Sequence, residues 1–175
     1  LPEQISPVKK SHFDIMTCIN KASEIIRNNL LYRFKDLSLL RTALTDTTLL
    51  KINRKSLPSN IRLTVLGDAV LNFIISNIIF LANPRESVLR MSKMRSLILG
   101  GEFFRQIIDK INLGKYFISV SGGPAAKLPN HTAKKLVQAI FGAIFIDSNL
   151  SSCFTAFKYF VMADNKSVAE SMFVL

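Results

Sequence analysis

The chain of 175 residues contains no tryptophan, two cysteines, two histidines, and only 12 acidic residues against 23 Lys and Arg. Each shortage removes a class of protein. Cys18 and Cys153 lie far apart and neither has a partner at CxxC spacing, which excludes a disulfide scaffold. A structural zinc site would need four ligands from those two thiols and from His12 and His131, so no metal centre is expected from them. The opening residues LPEQISPVKK carry no apolar core, and no targeting peptide is read there. Long apolar runs are also missing. The longest, Ala69–Ala82, makes about 21 Å of helix against a hydrocarbon core of about 30 Å, and Asn72 and Asn77 interrupt it. A buried helix is expected there, not a membrane span.

What remains is a chain that is 49% hydrophobic with a formal net charge of +11. The apolar content excludes intrinsic disorder, and the length suits one domain with its own core. Such an excess of one sign is a statement about partners. It favours polyanions, with nucleic acid first and an anionic membrane surface second.

The apolar spacing is helical nearly throughout. Helices are expected over 12–31 and 36–44, then a loop from Thr47 to Pro58. Ser59 or Asn60 can cap a long helix reaching about Phe80, which Asn83-Pro84 ends. The stretch 86–111 should form two pieces hinged at Gly100-Gly101, because paired glycines suit a helix interior poorly. Residues 113–129 read as a long loop, 116–120 as a strand-like segment without a partner, and 132–145 and 152–162 as the last helices. The fold class expected is all-α, with about seven helices.

Between Ala69 and Ile146 ten Lys and Arg face three acids, Glu86, Glu102 and Asp109. Arg85, Arg90, Lys93 and Arg95 fall within eleven residues, and Arg90 and Lys93 can share a helix face. Lys51, Arg54 and Lys55 gather in the first loop, and Lys127, Lys134 and Lys135 around the start of a later helix. A charge run of this kind is ordinarily a solvated helix face. The global excess shifts the reading toward a surface for RNA phosphates.

Four segments then carry a resemblance. Asn60 to Leu71, NIRLTVLGDAVL, resembles the ribonuclease III signature helix NERLEFLGDAVL. Tyr32 to Thr45 is similar to the family's opening, with LL and ALT in place, Leu89 to Leu97 to its L-S-x-x-R-x-x-L helix, and Gln138 to Asp147 to EALIGAIYLD. The segments stand in order and cover roughly residues 13–162, leaving 1–12 as an extension, 163–175 as a tail, and no room for a C-terminal double-stranded-RNA-binding domain. The resemblance implies the all-α ribonuclease III endonuclease fold. It also implies a Mg²⁺-dependent phosphodiesterase whose carboxylates come from two helices, since hard divalent cations require oxygen ligands.

Residue by residue, the acids are missing. The first signature Glu is Ile61, the catalytic Glu is Thr64, and the next acid survives as Asp68. In the second helix the Asp is Lys135 and the Glu is Gln138. The His that closes the opening motif is Asp46. One carboxylate beside a lysine is a poor site for a dication, so no catalytic residue, cofactor or metal is expected, with Asp68 kept as a hydrogen-bonding remnant. The resemblance also implies pairing of signature helices through Val65, Leu66 and Ala69. Val65 stands where the family has an aromatic knob, which favours a non-identical ribonuclease III-like partner over a symmetric homodimer.

The expected function is therefore non-catalytic: an RNA- and protein-binding member of a ribonucleoprotein. It is similar to the ribonuclease III-like proteins of the mitochondrial ribosome's large subunit, with mitochondrial localisation by that analogy. Alternatives are an inactive partner of an active endonuclease in a mitochondrial RNA-editing complex, and a divergent Mg²⁺-dependent endonuclease of double-stranded RNA.

Overall fold

A computed structural model describes residues 12–48, 59–119 and 127–163. Among them are seven α-helices and no β-strand: α1 His12–Leu30, α2 Leu37–Leu44, α3 Ile61–Ala82, α4 Val88–Ile98, α5 Gly101–Lys110, α6 Asn130–Asp147 and α7 Leu150–Met162. The local signals act as expected at most boundaries. Asp36 caps α2 by accepting from the Ser38 amide at 2.8 Å, and Ser87 and Asn149 cap α4 and α7 in the same way. The chain breaks between Ile98 and Gly101, at the paired glycines. Leu31, just past α1, and Asn112, just past α5, take left-handed backbone that ends each helix.

The centre of the domain is α6. Every residue from Leu136 to Ile144 is buried, because α2, α3, α5 and α7 pack around it. Phe141 stacks edge-on against Phe157 and Phe160 at ring separations of 5.9 and 6.0 Å, and Phe160 reaches Phe104 of α5. Aromatic pairs of this geometry add about 1 kcal/mol each to the area they bury. α1 contributes Ile19, Ala22, Ile26 and Leu30 at spacings of three and four, one stripe turned inward.

Three expectations change. The first concerns α3, read as a buried helix. It is long and apolar enough to cross a membrane by length and composition. Here Leu63, Val70, Leu71, Ile74, Ile75 and Ile79 pack inward, while Ile61, Val65, Phe73, Phe80 and Leu81 on the same helix are exposed. Val65, Phe73 and Phe80 lie on the side that the described chain leaves uncovered, and Ile61 and Leu81 stand at the two ends of the helix.

The second concerns 116–120. Its strand-like part does have a partner, since Ile118 pairs in parallel with Thr45. The Ile118 amide donates to the Leu44 carbonyl and the Asp46 amide to the Ile118 carbonyl, both at 2.8 Å. Residues 113–119 are accordingly less open than a plain loop, and 120–126 lie outside the described residues. The stretch begins with a 3₁₀ turn, Leu113–Tyr116, and Leu113 and Leu128 are buried.

The third concerns the α3 start. Asn60 is the cap residue but makes no side-chain cap bond. It is buried, its amide donates to the Thr45 carbonyl at 3.0 Å, and its carbonyl receives both the amide and the hydroxyl of Thr64. It anchors the helix through backbone.

Candidate functional site

The two helices that carry the expected site cross backbone to backbone. A Cβ on Gly67 of α3 would fall on the carbonyl oxygen of Gln138 of α6, and one on Gly142 would meet the Leu63 carbonyl. Only glycine permits that approach. The crossing fixes what lies beside it. Ile61, Thr64 and Asp68 follow one another at intervals of three and four along α3, and Lys135 and Gln138 at an interval of three along α6. The Gln138 amide nitrogen donates to Asp68 Oδ1, and Thr64 Oγ1 lies 3.5 Å from the Lys135 carbonyl. The crossing thus brings the two short runs together, as the resemblance requires of an active site.

The chemistry of the cluster is different. Asp68 is its one carboxylate, and one oxygen is already engaged by a neutral amide. Gln138 is buried at 5% exposure, so its amide needs that partner. Lys135 is exposed and forms no ion pair among the described residues. The five positions hold no net formal charge where the resemblance implies five carboxylates. A divalent cation needs several anionic or carbonyl oxygens converging on it, and this donor set does not fit one. Among the described residues no three His, Cys, Asp or Glu side chains group together. Asp46 does not supplement it: its carboxylate accepts the hydroxyls of Thr47 and Thr48.

Three polar residues are buried among those described, Thr45, Asn60 and Gln138. Two of them, Thr45 and Asn60, join the end of α2 to the start of α3, and the third holds Asp68. Buried polar groups cost stability unless partnered. Here each is partnered.

The other expected residues are spread over several elements. Lys51, Arg54 and Lys55 lie outside the described residues. Arg85 is exposed in the α3–α4 turn. On α4, Arg90 pairs with Glu86 at 3.1 Å, Arg95 reaches the Ser76 hydroxyl at 3.5 Å, and Lys93 is exposed in a shallow groove with Leu89, Ser92, Ser96 and Leu97. Lys127 is exposed and Lys134 half-buried, close in sequence to Lys135 at the α6 start. The cations therefore form at least two groups, one on α4 and one at the α3–α6 crossing. Of the expected pairing residues, Val65 is 72% exposed, Ala69 is exposed and Leu66 is half-buried.

Sequence reasoning missed two features of this region. Gly67 and Gly142 lie within the segments that resemble the family, and glycine is the residue that lets two backbones approach closely. The second is a clamp at the far end of α6. Asp147 accepts the Tyr32 hydroxyl at 2.6 Å and the amides of Lys35 and Asp36 at 2.9 Å each, tying α6 to the α1–α2 connection. Burial pushes the Asp147 carboxyl up, but these donors and the Lys35 charge outweigh it and leave it below its ordinary value. Burial, then the hydrogen bond to Asp147, raises the Tyr32 hydroxyl well above its own.

Residues 61–149 match the family described as the ribonuclease III domain. The protein named ribonuclease 3 of Ehrlichia canis is 32% identical over 132 residues, covering 74% of this chain and 58% of that protein. Ribonuclease 3 of Borreliella burgdorferi is 32% identical over 149 residues, 82% of this chain and 60% of its own length. The chain thus spans less than two thirds of these relatives. Among solved structures, the nuclease domain of ribonuclease III from Campylobacter jejuni superimposes with a TM-score of 0.70 at 27% identity, covering 82% of this chain and 96% of that one.

Proposed function

The chain belongs to the ribonuclease III domain family, and from that premise we propose that it is a non-catalytic, RNA-binding member of a ribonucleoprotein. One observation carries the proposal: the α3–α6 crossing assembles the positions of a metal site and places a single carboxylate among them. Hydrolysis of a phosphodiester by this family's chemistry needs the metal to polarise phosphate and activate water, and Asp68 alone does not supply the ligands. The relatives bear the name of an enzyme; of the acids that the resemblance implies, this chain carries Asp68.

The charge supports RNA as the partner. An excess of +11 on a domain of this size repels itself in isolation and is neutralised by phosphates, giving affinity that is strongly salt-dependent and tolerant of sequence. The setting we propose is the large subunit of the mitochondrial ribosome, and mitochondrial residence is part of that proposal. Both rest on the family resemblance and the basic balance.

The exposed apolar residues of α3 favour a second element of the reading, a protein partner with a ribonuclease III-like domain of its own. Val65, small where an aromatic knob is expected, suits a non-identical partner. A mitochondrial RNA-editing complex offers such a partner as well as the ribosome does.

Incubation with double-stranded RNA and Mg²⁺ tests the core of the proposal. No cleavage and salt-dependent binding are expected; cleavage abolished by Asp68→Ala would overturn it. Sedimentation of the native protein with large ribosomal subunits, as against an editing complex, decides the setting.

A further inference from the structure

This inference rests on the RNA-binding reading above and concerns how the surface beside the α3–α6 crossing is used. We infer that the surface beside the α3–α6 crossing is a metal-free phosphate site, in which the Lys135 ammonium takes over the role of a divalent cation toward an RNA phosphate. Three observations converge on it. Lys135 occupies a position that the resemblance gives to a metal-binding Asp, is exposed, and has its charge uncompensated by any ion pair among the described residues. An ammonium is a compact charge with three donors and needs no coordination geometry to meet phosphate.

The one nearby anion is restrained. Gln138 donates to Asp68 Oδ1, which holds that carboxylate against α6 through a neutral group. A glutamate at 138 would instead set two carboxylates at hydrogen-bond distance, an arrangement that requires a proton or a cation between them. The amide removes that requirement.

Thr64 completes the change. Its hydroxyl donates to the Asn60 carbonyl at 2.9 Å and lies beside the Lys135 carbonyl, so a neutral group stands where a carboxylate would repel phosphate. Lys134, half-buried next to Lys135, adds a second cation at the same helix start.

The test follows binding of the full chain to a short RNA duplex by fluorescence anisotropy. Replacing Mg²⁺ with EDTA should leave the affinity within about twofold, and Lys135→Ala should lower it by about tenfold and reduce the salt slope by about one. Lys135→Arg should retain most of the binding. Titration calorimetry with Mn²⁺ alone should show no site on the natural chain. Loss of RNA binding in EDTA, or a tight Mn²⁺ site, overturns the inference. Unchanged affinity and slope in Lys135→Ala also overturns it and moves the RNA to another face, leaving the RNA-binding reading intact. A natural chain that binds no RNA duplex at low salt removes both.

Discussion

The Cβ that Gly67 lacks would clash with the carbonyl oxygen of Gln138, the residue whose side chain holds Asp68. One crossing therefore sets both the separation of α3 and α6 and the meeting of Gln138 with Asp68. Gly67→Ala cannot be absorbed by a side-chain rotation, because the obstacle is backbone. It should cost at least about 3 kcal/mol, which lowers Tm by about 10 °C in a domain of this size. Thermal unfolding followed by circular dichroism measures it. Gly142→Ala, aimed at the Leu63 carbonyl, should behave alike.

Much of this architecture is legible before any coordinates. The helices follow from apolar spacing and capping residues, and the Gly100-Gly101 and Asn83-Pro84 breaks fall where backbone preferences put them. The cluster of positions 61, 64, 68, 135 and 138 was legible through the motifs alone. That Gln138 bonds Asp68 was not, since spacing within one helix says nothing about which side chain of another it meets. The pairing of Ile118 with Thr45 is hidden for the same reason: it joins segments distant in sequence. Which part of α3 stays uncovered is not legible in the sequence, because the helix is apolar on both sides. Without a polar stripe, periodicity cannot separate a side packed on the core from a side that is bare.

The bare side yields a prediction of its own. Phe80 and Leu81 are 65% and 68% exposed, so the double substitution Phe80→Lys, Leu81→Ser should leave Tm within a few degrees. The same change should reduce self-association of the isolated chain, since exposed apolar patches drive it. Sedimentation velocity across a concentration series reads the second effect and thermal unfolding the first. A large loss of Tm would mean that these side chains are packed in solution.

At the far end of α6, Asp147 holds the α1–α2 connection through three donors. Replacing it by Asn puts an amide N–H against donors and should cost about 2 kcal/mol at neutral pH. The carboxyl is held below its ordinary value in the folded state. Its stabilisation is therefore complete above about pH 4 and is lost as pH falls through the folded value. The gap between the natural chain and Asp147→Asn should close in strong acid. Urea unfolding at a series of pH values tests this, and a gap that does not shrink as pH falls below the ordinary carboxylate range would contradict the assignment. Tyr32 has the opposite sign. Its raised value means stability is kept below the ordinary tyrosine range and lost as pH rises through the folded value, in strong alkali.

Asp68 separates a remnant from a catalytic acid by the direction of its effects. Asp68→Asn keeps an oxygen to accept from Gln138, so the fold should change by less than about 1 kcal/mol. At a surface that receives phosphate, the lost negative charge should strengthen RNA binding. At a separation of about 8 Å through water the Coulomb energy is about 0.5 kcal/mol, or roughly twofold in affinity. A catalytic Asp68 would show the reverse pattern: unchanged or weaker binding, and the disappearance of a cleavage activity. Anisotropy titrations of natural chain and variant at matched salt distinguish the two. The twofold gain should shrink as salt rises, because screening removes a repulsion as it removes an attraction.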